Sequence, residues 1–126
     1  MGLLNTLFGN GDGKNLPEFW KTIESEEDLE NAVKSSHDRK IAIFKHSTRC
    51  FISKTVLKNF EKEVENNTPT ETDLYFLDLL AHRALSNKIA EDLEVQHQSP
   101  QLIVIKNGKA ISSASHQSIE LSLITK

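Results

Sequence analysis

The chain has 126 residues, a formal net charge of −3 and 37% hydrophobic side chains. That length suits one domain with a single buried core. No apolar run approaches the roughly 18–20 residues of a membrane span, and there is no basic block of the kind that phosphate contacts require, so neither a membrane nor a nucleic acid is an expected partner. The one cysteine, Cys50, excludes an intrachain disulfide and an all-thiolate metal site, and fits a reducing compartment.

The start, Met1-Gly2-Leu3-Leu4-Asn5-Thr6, lacks a positive n-region, has too short an apolar stretch for a signal peptide, and matches the loose M-G-x-x-x-[ST] acylation pattern. Gly9, Gly11 and Gly13 among Asn10 and Asp12 break regular structure. Residues 1–15 are therefore expected to be a flexible arm and residues 16–126 a single domain, in a cytoplasmic protein.

Phe19-Trp20-Lys21-Thr22-Ile23 has strand composition. Ser25 with Asp28 three places on opens a helix, behind which Leu29, Ala32 and Val33 fall at helical spacing. Ile41-Ala42-Ile43-Phe44 is a continuous apolar run, as in a strand covered on both faces. Ile52, Val56, Phe60 and Val64 recur every four residues and predict a helix from about Cys50 to Glu65, ended by Asn66-Asn67-Thr68-Pro69. Leu74-Tyr75-Phe76-Leu77 is a second buried strand, and Leu85, Ile89 and Leu93 mark a third helix. Pro100 leads into the strand Leu102-Ile103-Val104-Ile105. Asn107-Gly108 then turns the chain into a returning strand at about Ala110–Ser113. Ile119, Leu123 and Ile124 suggest a closing helix. The order β-α-β-α-β-α-β-β-α describes an α/β fold with a mixed sheet, parallel in its first half and closed by a hairpin.

Cys50 lies where the central strand stops and the next helix begins. In open α/β sheets ligands bind beyond the carboxyl ends of strands. A thiol there also faces the free N–H groups of the helix, which favour the thiolate. Lys45, His46 and Arg49 add positive charge nearby in sequence. A lone cysteine is commonly an inert core residue, and the strand-to-helix position argues against that here. Proline before the last buried strand is either a plain strand-start residue or a cis Ser99–Pro100 bond.

Lys45-His46-Ser47-Thr48-Arg49-Cys50-Phe51-Ile52-Ser53 resembles the KHST-x-C-P-I-S stretch of the YtxJ-type monothiol bacilliredoxin family, which has a thioredoxin-like fold. Arg83-Ala84-Leu85-Ser86-Asn87 with Ile89-Ala90 resembles the family's third helix, and Val95-Gln96-His97-Gln98-Ser99-Pro100-Gln101 its Ser-Pro-Gln segment. Lys106-Asn107-Gly108-Lys109 and Ala114-Ser115-His116 with Ile119 resemble its hairpin and closing helix. The resemblance runs from about residue 18 to 126 in one register. It implies thiol–disulfide exchange on proteins capped by bacillithiol or a similar small thiol, which serves as co-substrate with no other cofactor. Cys50 would be the nucleophile, Ser53 the replacement for a resolving cysteine, and Pro100 a cis proline opposite the sulfur. Lys45, His46, Thr48 and Arg49 would support the site, and Ser99, Pro100 and Phe51 would meet the substrate. Phe51 departs from the family's usual proline.

The implied partners are small-thiol-modified client proteins and a reducing thiol or reductase, acting on a monomer. Two other readings stay open: a thioredoxin-fold interaction or redox-sensing module without turnover, and a glutaredoxin-like iron–sulfur carrier holding a cluster between two chains. His46, His97 and His116 are candidates to gather near the sulfur. One Cys with scattered His lacks the close pairing of a zinc site, so no metal is expected.

Overall fold

The structure is a computed structural model describing residues 16–125; the expected arm and its acylation pattern lie outside the described residues. Along the chain come β1 (Trp20–Thr22), α1 (Glu26–Ser35), β2 (Lys40–His46), α2 (Phe51–Asn66), β3 (Thr72–Asp78), α3 (Arg83–Asp92), β4 (Gln101–Lys106) and β5 (Lys109–Ser115). A 3-10 turn (His116–Ser118) and a one-turn helix α4 (Ser122–Thr125) close it. The sheet order is β1-β3-β2-β4-β5, with β3 parallel to β1 and β2, and β4 antiparallel to β2 and β5. This is the mixed sheet expected from the order of elements.

The apolar run of β2 has the physical basis expected of it, since each face of the sheet is covered. Ala42, Phe44, Leu102 and Val104 pack with Val56, Phe60 and Val64 of α2 and with Ile119, Leu121 and Ile124. On the other face Ile41, Ile43, Ile103 and Ile105 pack with Leu29 and Ala32 of α1 and Leu85 and Ile89 of α3. Phe60, nearly inaccessible, meets Phe44 at 5.7 Å and Trp20 at 6.0 Å between ring centroids. Burying such a ring contributes about 1.5–3 kcal/mol, so α2 is held to the sheet along its whole length and its first turn is fixed in place.

Local signals act where the sequence put them. The Asp28 N–H donates to Ser25 Oγ at 3.1 Å, while the Asp28 carboxylate accepts from the Glu24 N–H at 2.9 Å. Asn107 (φ 54°) and Gly108 (φ 76°) both turn left-handed, as a two-residue hairpin requires. Their N–H groups donate to the Ser36 carbonyl and hydroxyl, each at 2.8 Å.

The C-terminal end differs from expectation. In place of a continuous helix through Ile119, the left-handed His116 (φ 53°) starts the 3-10 turn and Ile119 is extended. The Leu121 N–H donates to the Glu63 carboxylate of α2 at 2.9 Å, so α4 begins only after that contact and runs one turn. No helix of the described residues is long and apolar enough to cross a membrane.

Candidate active site

The Ser47–Arg49 loop leaves β2 and delivers Cys50 to the N-cap of α2. Cys50 is extended (φ −98°, ψ 120°), and its carbonyl accepts the Lys54 N–H at 3.0 Å. Its side chain makes no capping bond and is half-buried. The sulfur is thus left available for chemistry beside helix N–H groups that have no intrahelical partner. Thr48 and Arg49 are exposed on the loop. Phe51 is 80% and Ile52 43% exposed, an apolar pair directly after the cysteine. They border a groove of about 310 Å³ that continues past Thr55 and Asn59 to Gln117 and Ile119.

Ser53, one turn on, is fully buried. Its Oγ lies 2.8 Å from His46 Nδ1 and accepts the Ser47 N–H at 3.1 Å. The serine in the C-x-x-S motif therefore closes the loop onto the end of β2. His46 is itself buried, with its ring 5.6 Å from Phe76, so it acts inside the sheet edge and not as a surface cation.

Lys45 departs furthest from expectation. It has no exposed surface and so presents no charge to an incoming small thiol. Strand alternation explains the outcome: Lys45 shares the face of Ile41 and Ile43, under α3, while His46 shares the face of Phe44, under α2. Lys45 Nζ donates to the Ser86 carbonyl at 3.1 Å and lies 3.4 Å from His97 Nδ1. Burial pushes this ammonium down to about 8. Burial, then the charges of Lys45 and Arg83, hold the His97 imidazole below its ordinary value.

The Ser99–Pro100 bond is cis. Lys45 pairs with Gln101 across β2 and β4, so one step further the ladder sets Pro100 opposite His46, beside the root of the cysteine loop. The Pro100 carbonyl accepts the His116 N–H at 3.0 Å, which brings the turn after β5 to the same edge. The buried Ser99 Oγ has no hydrogen-bond partner, and the Ser99 backbone enters none of the hydrogen bonds of the described residues. The three histidines do not form one cluster. The His46 ring meets Ser53 and the His97 ring meets Lys45 and Ser86 Oγ, while His116 meets Pro100 through its backbone N–H. Among the described residues no three His, Cys, Asp or Glu side chains gather as a metal-ligand group.

A sheet of this order, with an N-cap cysteine on α2 and a cis proline before β4, defines a thiol oxidoreductase of the thioredoxin fold. Solved structures bear out the fold. A thioredoxin-fold protein described as a candidate oxidoreductase superposes with a TM-score of 0.73 at 26% identity, over 86% of this chain and 92% of that one. The Malassezia sympodialis thioredoxin gives 0.62 at 21% identity over 82% and 84%. Thioredoxin O2 from Arabidopsis thaliana gives 0.63 at 18% over 89% and 93%. The family model described as monothiol bacilliredoxin BrxC matches residues 21–124, and the chain belongs to that family.

Proposed function

We propose that this protein removes a small thiol, bacillithiol or a close analogue, from mixed disulfides on client protein cysteines. The Cys50 thiolate attacks the small-thiol sulfur. A new disulfide forms between Cys50 and the small thiol, the client disulfide breaks, and the client leaves as thiolate. A second small thiolate, or a separate reductase thiol, then attacks the adduct and releases Cys50. The observation that carries this reading is Cys50 itself, a lone thiol at a helix N-cap whose side chain is not spent on capping. With no second cysteine in the chain, the first step must stop at the adduct.

Client recognition fits the same edge. The backbone of Ser99, which enters no hydrogen bond among the described residues, offers an N–H and a C=O to an extended client segment, as an added strand would use them. Phe51 offers an apolar contact next to the sulfur. Arg49, exposed beside the cysteine, suits a carboxylate of the small thiol, a part that buried Lys45 does not play. The test is a purified client bearing a bacillithiol mixed disulfide, with release of its free thiol followed over time. Turnover by the wild type in excess bacillithiol, and none by Cys50→Ser, is expected. A wild type no faster than bacillithiol alone would refute it and favour a binding or sensing module.

A further inference from the structure

We propose that Lys45 and Gln101 form a buried polar clamp that positions the segment carrying Ser99 for client binding. The inference rests on the reading of Ser99 as a client contact. The two residues face each other across β2 and β4, and directly opposed residues of an antiparallel pair project from the same side of the sheet. Both are buried, at 0% and 2% exposure. Gln101 Nε2 donates to the Gln96 carbonyl at 2.9 Å, and its Oε1 accepts the Gln98 N–H at 3.4 Å. Lys45, anchored on the Ser86 carbonyl of α3, reaches the residue between them, His97, whose Nδ1 lies 3.4 Å from Lys45 Nζ and 3.4 Å from Ser86 Oγ. Three successive residues before Ser99 are thus gripped from the interior. Ser99 follows with no hydrogen bond of its own among the described residues.

Stability alone does not account for Lys45. The Ser86 carbonyl lies inside α3, where the helix supplies it with a donor, so the helix does not need the ammonium. A buried cation facing a carbonyl and a neutral imidazole, with no carboxylate of the described residues bonded to it, is a costly occupant for a site that an apolar side chain of similar volume would fill. What an apolar residue would not do is give His97 a charged partner beside Ser86 Oγ. The clamp therefore trades folding stability for a fixed turn at the client-binding edge. It lies on the α3 face of the sheet, opposite the face covered by α2, whose N-cap is Cys50, so it acts on presentation of the client and not on the reactivity of the sulfur.

The experiment compares wild type, Lys45→Met, His97→Leu and His97→Asn on two substrates, a client protein mixed disulfide and a small-molecule disulfide. His97→Asn keeps an acceptor near the Nδ1 position, and His97→Leu removes it without disturbing the buried strand. Lys45→Met and His97→Leu are expected to lose about tenfold in kcat/KM on the client, through KM. The small disulfide should change less than about twofold, and His97→Asn should recover most of the loss. Hydrogen exchange of the Gln98 amide should quicken about tenfold in the two impaired variants. Equal loss on both substrates, or client kinetics at the wild-type level in Lys45→Met and His97→Leu, would overturn the clamp. If Lys45→Met does not fold, the His97 pair decides. A wild type inactive on the client contradicts the proposed function instead, and amide exchange then decides whether the clamp itself holds.

Discussion

The hydroxyl oxygen of Ser53 lies 2.8 Å from Nδ1 of His46 and also accepts the Ser47 N–H. Ser53 is therefore a fastener between the helix and the strand that flank the Cys50 loop.

Ser53→Ala is expected to leave the buried His46 Nδ1 and the half-buried Ser47 N–H without this partner. The loss should be about 1–3 kcal/mol, read as a lower urea midpoint. Client turnover should persist at a reduced rate, because the chemistry uses one sulfur. Cys50→Ser should keep its stability and lose all turnover. Equal, total loss of activity in both variants would contradict this division.

Phe51→Pro tests the departure at the first position of α2. Cys50 already has φ −98° and ψ 120°, the extended conformation that a following proline favours, and a first-turn N–H has no helical partner to lose. The substitution should stabilise the protein by about 0.4–1 kcal/mol. KM for the client should rise, since an apolar side chain with 80% exposure beside the sulfur is gone. A destabilised Phe51→Pro, or an unchanged KM, would show that the aromatic ring has a different part.

The buried Lys45 makes stability pH-dependent in a stated direction. Its native value of about 8 lies below the ordinary 10.5, so between those limits the unfolded chain binds more protons than the native one. Stability should rise as pH climbs through that window. Lys45→Met should be at least as stable as wild type at pH 7, with an advantage that shrinks by up to about 3 kcal/mol toward pH 10.5. Urea titrations of both proteins from pH 7 to 10.5 check this. A constant difference would mean that the ammonium is not buried in solution.

Much of the fold was legible because β2, β3 and β4 are continuous apolar runs and α2 keeps a strict four-residue repeat. Cys50 was legible from its place between a strand and a helix. The sidedness of Lys45 and His46 was not. With both faces of β2 covered, Ile41-Ala42-Ile43-Phe44 carries no alternation to tell one face from the other, and a lysine near a strand end reads as solvated. Fixing the face of Ile41 by its packing partners would have placed Lys45 under α3. The role of Ser53 was equally hidden, since its partners are a strand-end imidazole and a loop N–H. The closing helix is shorter than its pattern suggests because Ile119, Leu123 and Ile124 fit a helical spacing that the left-handed His116 and the Glu63 contact interrupt.

The central claim is that Cys50 alone carries the small thiol between the two halves of the reaction. The most direct measurement is the intact mass of the purified full chain after exposure to bacillithiol disulfide, with glutathione disulfide and cystine in parallel. One adduct per chain is expected, reversed by reductant, absent from Cys50→Ser and formed fastest with bacillithiol disulfide. No reversible adduct under any condition, or an adduct that persists in Cys50→Ser, would contradict it.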